Sequence, residues 1–265
     1  MHVLDIDGLQ IAYRVTGAGP PLVLVHGAVS DSRIWRPQIE GLADAFTVVA
    51  WDAPGAGRSP DPPAPFGTDD WADALAGLLA ALGLGPAHVV GLSWGGTLAL
   101  ALYARAPEAV ASLVLAGAYA GWKGSLSGEE CAARLAAALA SAALPPAELA
   151  GAWLPSLVTE DADPARAAEL RAIAEDAHPE GLRLTAVSMA ETDLSAVLPR
   201  IAVPVLLLWG ERDVRSPLRI AEGMRAAIPG AELVVVPGAG HVSSVERPDA
   251  FTAAVRRFCL AAGAG

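Results

Sequence analysis

Residues 87–105 pass from a short β-branched run, Val89-Val90, into an Ala/Leu-rich helical run through Gly91-Leu92-Ser93-Trp94-Gly95. Strand, tight turn and helix follow one another with a serine at the apex. Such a turn holds its apical residue in a strained backbone conformation, and neighbouring chain passes close by, so side chains at positions 91 and 95 would clash. The turn presents the Ser93 hydroxyl at the carboxyl end of a strand. It also sets the Trp94 N–H at a helix N-terminus, where partial positive charge can meet a developing oxyanion. A bare Gly-x-Ser-x-Gly is a weak motif, and its strand-to-helix context is what gives it weight. A chain built around it must supply a base, an acid and a second oxyanion donor from elsewhere.

The flanking pattern continues the same architecture. Val3–Ile6 and Gln10–Val15 read as strands around Asp7-Gly8, a strong hairpin signal. Leu22–Val25, Phe46–Ala50, Ala111–Ala116, Val203–Trp209 and Glu232–Val236 are apolar runs, as expected for strands buried on both faces of a parallel sheet. Helical spacing follows from Asp31, from Thr68 to Gly83, after Ser93, from Ser216-Pro217 and from Pro248. Eight strands alternating with helices predict an α/β fold with a mostly parallel sheet and helices on both faces. Residues 118–192 differ. Ser127 and Glu130 make a capping box, prolines punctuate the segment, and helices are expected over roughly 128–143, 146–157, 164–176 and 179–190. The expected organisation is a core of 1–117 and 193–265 with a helical cap inserted at 118–192.

With 265 residues, 53% of them hydrophobic, one such domain is well supplied with core. A net charge of −11 makes nucleic acid and anionic membranes poor partners. The Gly/Pro-rich stretch Asp52–Ser59 lacks the Lys-Ser/Thr ending of a phosphate loop. Cys131 and Cys259 have no metal-ligand spacing and read as ordinary thiols. The N-terminus alternates like a strand rather than a secretory signal, and no apolar run approaches a membrane span. The expectation is a cytoplasmic monomer or homodimer acting on a small molecule, with no nucleic-acid or membrane partner.

A serine hydroxyl needs a base to take its proton. Of the five histidines, His2 is terminal, His88 sits at the wrong end of the serine strand, and His178 reads as a solvated helix end. His26 and His241 both follow buried strands, at the edge where open α/β sheets bind ligands. His241, held by Gly240 and followed by Ser243-Ser244, is the better base, and His26 fits as a support for the turn at Gly27. Asp213 follows a strand in a Gly-x-x-Asp loop. Alone it reads equally as a turn aspartate, but it stands where a carboxylate would orient the imidazole. The order Ser93, Asp213, His241 is the one this architecture requires. The second oxyanion donor is placed at the N–H of Ala28. Trp35, Trp94, Trp122 and Trp153 fall near the site or in the insertion. Any one of them could be plain core, and Trp35, Trp122 and Trp153 are taken as candidates for lining a mostly apolar pocket.

Together, His26-Gly27, Asp52-x-Pro54-Gly55-x-Gly57-x-Ser59, Gly91-x-Ser93-x-Gly95-Gly96, Gly210-x-x-Asp213 and Gly240-His241 resemble the α/β-hydrolase superfamily over essentially the whole chain. The resemblance implies the eight-stranded α/β-hydrolase fold, a cap between strands six and seven, and cofactor-free hydrolysis through an acyl-enzyme. It is nearest to small carboxylesterases and enol-lactonases. Dehalogenase and epoxide-hydrolase relatives carry an aspartate nucleophile, which Ser93 argues against. Ala56 departs from the larger residue common between the two glycines. The expected function is a serine hydrolase cleaving an ester or lactone of a small, fairly apolar molecule. Carbon–carbon bond hydrolysis, peracid formation with halide oxidation, a natural-product tailoring step or a receptor role would use the same frame.

Overall fold

The computed structural model describes residues 1–263. Strands β1 (His2–Ile6) and β2 (Leu9–Thr16) form the expected hairpin, with Ile6 paired to Leu9 and both turn residues, Asp7 and Gly8, at positive φ. Then follow β3 (Pro21–Val25), a capped 3₁₀ turn at Ser32–Trp35, α1 (Arg36–Leu42), β4 (Thr47–Trp51), α2 (Thr68–Ala81), β5 (Ala87–Leu92), α3 (Trp94–Arg105) and β6 (Val110–Ala116). The eight strands, completed by β7 (Val205–Gly210) and β8 (Glu232–Val236), form one sheet in the order β1-β2-β4-β3-β5-β6-β7-β8. Pairing is antiparallel where β2 meets β1 and β4, and parallel from β4 to β8.

Every residue of β5 and of β7 is buried. That is the consequence of apolar runs covered by helices on both faces, α2 packing with α3 and α1 with the C-terminal helix at Pro248–Ala262. Parallel pairing also aligns strand ends. Val25 is level with Gly91, Ala116 with Leu208 and Gly210 with Val236, so the loops after β3, β5, β6, β7 and β8 emerge along one edge.

Between β6 and β7 the described chain is helical: α4 (Gly128–Ala142), α5 (Pro146–Leu157), α6 (Pro164–Glu175) and α7 (Pro179–Glu191). Their starts are set locally. Ser127 and Glu130 cap α4 reciprocally, at 3.2 and 3.0 Å, and α5, α6 and α7 each begin on a proline, whose missing N–H is no loss there. The insertion docks on the core through Leu194 N–H to Ala120 O (2.9 Å) and a Thr68–Thr192 hydroxyl pair (2.6 Å), and is closed on itself by Trp122 N–H to Met189 O (2.8 Å). At Gly181 the approach is so close that a Cβ would lie 1.9 Å from the Gly55 carbonyl oxygen.

This docking corrects one expectation. His178 is not a solvated helix end: its Nδ1 lies 2.9 Å from Asp61 and its Nε2 3.2 Å from the Gly57 carbonyl, because the start of α7 lands on the Gly55–Asp61 loop. After β7 come α8 (Leu218–Ala227), the short α9 (Ser243–Glu246) and α10 (Pro248–Ala262). No described helix is long and apolar enough to cross a membrane. Both cysteines are free, and burial pushes the Cys259 thiol up to about 12.

Candidate active site

Ser93 sits between β5 and α3 with φ +55° and ψ −116°, outside the regions an L-residue normally occupies. The flanking glycines make that turn possible. A Cβ at Gly91 would meet Gly95 O at 2.3 Å, and one at Gly95 would meet Val25 O at 2.2 Å. The Ser93 N–H donates to Ala116 O at 2.7 Å, which ties the turn to the neighbouring strand. Ser93 is half-buried amid fully buried neighbours. The N–H groups of Trp94 and Ala28 donate to no group among the described residues. Trp94 opens α3, so its N–H belongs to the positive end of that helix. Beside Ala28, Val29 holds φ +51°, a strained value for a β-branched residue.

Asp213 and His241 come from the loops after β7 and β8. These loops lie in direct contact: a Cβ at Gly210 would stand 2.0 Å from Gly240 O, and Arg212 N–H donates to Ala239 O at 2.8 Å. The result is a pair 2.8 Å apart, Asp213 Oδ2 to His241 Nδ1, with both side chains 1% exposed. The other carboxylate oxygen accepts the N–H groups of Arg215 (2.9 Å) and Ser216 (2.7 Å). With the carboxylate so oriented, Nδ1 carries the proton and Nε2 is left as the basic nitrogen. His241 Nε2 is buried without a partner among the described residues, and it faces a cavity that Ser93 also lines. Gly117, at φ +52°, packs against the pair, since a Cβ there would lie 3.1 Å from the imidazole and 3.2 Å from the carboxylate. The loop is held from behind by buried Glu246, which accepts from Gly240 N–H (2.6 Å) and from the Thr159 N–H and hydroxyl (2.9 and 2.6 Å) of the insertion.

His26 is bound quite differently. Its Nδ1–H donates to Gly27 O (2.8 Å), and its Nε2 accepts Ala53 N–H (3.0 Å). Burial holds it below the ordinary histidine range. Asp52, next to it, accepts Ser32 N–H and Arg58 N–H at 2.8 and 3.0 Å. The Asp52–Ser59 segment is therefore a scaffold for the Gly27-Ala28 turn rather than a ligand loop.

Two small adjoining cavities share Ala28, Ser93, Trp153 and Arg215. Trp122 and Trp153 line this space together with Trp94 and Tyr119. Trp35 does not: it is fully buried and packs on Phe251 at 6.0 Å between ring centroids. The 3₁₀ turn after Asp31 carries it under the sheet edge into the core. Three residues escape a reading of the chain by motif: Gly117, Arg215 and Glu246. Arg215 stands only two positions beyond Asp213, which was the available signal. Among the described residues no group of three or more His, Cys, Asp or Glu side chains is arranged to hold a metal ion.

A sheet of this order, covered on both faces and carrying a strained serine turn at the carboxyl edge of β5, is the architecture of an α/β hydrolase. The chain belongs to the alpha/beta hydrolase fold family, whose profile matches residues 20–248. It is 31% identical to a putative carbamate hydrolase RutD from Azorhizobium caulinodans, over 97% of each chain. Among solved structures it is similar to a thermophilic esterase from Thermogutta terrifontis, at 33% identity and TM-score 0.89 over 98% of this chain and 97% of the other. The enol-lactonase from Burkholderia xenovorans is 28% identical at TM-score 0.90, over 98% of this chain and all 100% of its own.

Proposed function

We propose that the chain is a serine hydrolase that cleaves an ester or lactone of a small molecule through an acyl-enzyme, with the helical insertion serving as its cap. One observation carries this reading. Asp213 fixes the His241 proton on Nδ1, and the unpartnered Nε2 opens into the cavity that Ser93 lines. The esterase and enol-lactonase likenesses support the same bond class.

In the first step Ser93 Oγ attacks the carbonyl carbon while its proton passes to His241 Nε2. The carbonyl electron pair moves onto oxygen, where the N–H groups of Ala28 and Trp94 stabilise the anion. Asp213 stabilises the imidazolium, which then protonates the leaving alcohol as the carbon–oxygen bond breaks. Water enters, gives a proton to Nε2, attacks the acyl carbon and releases the acid with Ser93 restored. Preorganised N–H donors are worth roughly 10²–10³ in rate each, since they require no reorganisation as charge develops. The Trp94, Trp122, Trp153 and Tyr119 walls keep that charge in a low-dielectric setting.

Hydrolysis of p-nitrophenyl esters of increasing acyl length by wild type and Ser93→Ala tests the reading. The expected result is turnover by wild type, a preference for short chains set by the small cavity, and a loss of about 10⁴-fold or more in the variant. Equal turnover by both proteins would remove Ser93 from the mechanism.

A further inference from the structure

Arg215 lines both cavities that Ser93 lines. Its guanidinium carbon lies 3.9 Å from the centre of the Trp153 ring, and its Nη1 donates to Ser156 Oγ at 3.1 Å. A face-stacked guanidinium keeps the N–H donors of its edge free for planar partners. No carboxylate is within ion-pair distance of it among the described residues, whereas Arg33, Arg105, Arg212 and Arg256 each hold one near the surface. Asp213, two residues earlier in the chain, has both oxygens engaged, one by His241 and one by two backbone N–H groups.

The residue is held in place as well as left unpaired. Its carbonyl oxygen accepts from the Tyr119 hydroxyl and from Arg134 Nη2, the latter at 2.6 Å. Arg134 lies over the Tyr119 ring, 5.4 Å from its centre, and likewise pairs with no described carboxylate. So a second positive charge stands close by. Burial pushes the Arg215 guanidinium down to about 10, which leaves it cationic at neutral pH. A chain with 29 acidic residues and a net charge of −11 thus places a cation with no paired acid in the wall of the cavity. Stacking on the Trp153 face offsets only part of what it costs to draw the half-buried cation away from water.

We propose that Arg215 binds a carboxylate of the substrate, so that the molecule cleaved is a small ester or lactone bearing a free acid group. This rests on the reading of the cavity as an ester or lactone site. Arg215 is then a specificity residue: its fork accepts both oxygens of a carboxylate and fixes the ester carbonyl relative to Ser93.

The test uses monomethyl esters of succinate, glutarate and adipate, each against the methyl ester of the monocarboxylic acid of the same chain length. Wild type is expected to favour the acid-bearing ester of at least one pair by ~10- to 100-fold in kcat/KM, the range of a charge-assisted hydrogen-bond pair. That ratio should fall to near unity in Arg215→Gln and stay intermediate in Arg215→Lys, which keeps the charge without the fork. Calorimetric titration of monomethyl glutarate and of methyl pentanoate into Ser93→Ala, and into Ser93→Ala with Arg215→Gln, reads the same site without turnover. Monomethyl glutarate should bind at least tenfold tighter than methyl pentanoate, and only when Arg215 is present. A preference absent from wild type, or surviving Arg215→Gln, overturns the proposal, as does equal monomethyl glutarate binding with and without Arg215. If no ester is turned over, the hydrolase reading fails while the titration still decides the role of Arg215.

Discussion

His26 and His241 occupy matching places. Each follows a parallel strand, buried β3 for His26 and the half-exposed edge strand β8 for His241, each is next to a glycine, and each is almost wholly buried, at 1% and 2% exposure. Their surroundings give them opposite roles. Both ring nitrogens of His26 are used by backbone groups, Gly27 O and Ala53 N–H, so the ring is a strut between two loops. Only Nδ1 of His241 is used, by Asp213, and Nε2 is left without a partner among the described residues, at the cavity that Ser93 also lines. On the proposed mechanism, what separates a scaffold histidine from a base is therefore the count of satisfied nitrogens, not burial or position along the strand.

The largest effect should come from unlocking the His241 tautomer. Asp213→Asn keeps the shape of the pair but no longer requires the proton on Nδ1, and kcat should drop by about 10⁴-fold with little change in folding. Steady-state hydrolysis at saturating ester is the measurement. A drop of less than tenfold would mean that the pair seen here does not orient the base.

His26→Ala probes the other half of the comparison. It strands the Ala53 N–H and leaves a hole in a fully packed region, which should lower stability by about 3 kcal/mol in urea unfolding. Its kcat, measured where the variant is folded, should fall by less than the roughly 10²–10³ that accompanies loss of an oxyanion donor. Loss of turnover as complete as that of His241→Ala in folded protein would break the distinction between strut and base.

The same contrast explains what the amino-acid sequence makes legible. The sheet, the hairpin at Asp7-Gly8 and the helices of the insertion follow local rules: apolar runs, capping residues and prolines at helix starts. The helix bounds accordingly agree with the periodicity to within a residue. Ser93 is legible because its turn needs Gly91 and Gly95 close by in the chain. Asp213 and His241 are legible as residues following strands, and parallel pairing brings such residues to one edge. The places of Trp35, His178, Arg215 and Glu246 are not legible, for a common reason. Their roles depend on segments far away in the chain: Phe251 for Trp35, Asp61 for His178, Trp153 for Arg215 and Thr159 for Glu246. Nothing local distinguishes a tryptophan that meets a cavity from one that meets a phenylalanine.

Glu246 gives a smaller test of how the His241 loop is held. Its carboxylate accepts from Gly240 N–H on one oxygen and from Thr159 on the other. Glu246→Gln turns an NH₂ group towards one of these donors, so one contact must break. The expectation is a destabilisation of ~1–3 kcal/mol and a fall of roughly tenfold in kcat as His241 loses its fixed position. An unchanged kcat at lowered stability would show that the loop keeps its place through the Asp213 pair alone.

The smallest effect is a dependence of stability on pH. Burial lowers the pKa of His26 below the ordinary 6.5, and that of His88 in the same direction. The folded protein therefore holds these rings neutral, while the unfolded chain takes up protons on them once the pH drops below about 6.5. Their contribution to stability is complete above that pH and is lost as the pH falls towards the folded-state values. Each group adds a slope of at most about 1.4 kcal/mol per pH unit in that window. In His26→Ala the slope below about pH 6.5 should flatten by one group's share, with that of His88 remaining. Urea unfolding at a series of pH values reads this directly. An unaltered slope would mean that the His26 ring takes a proton as readily in the fold as outside it, against its burial and its Ala53 partner: a protonated Nε2 would turn an N–H towards the Ala53 N–H.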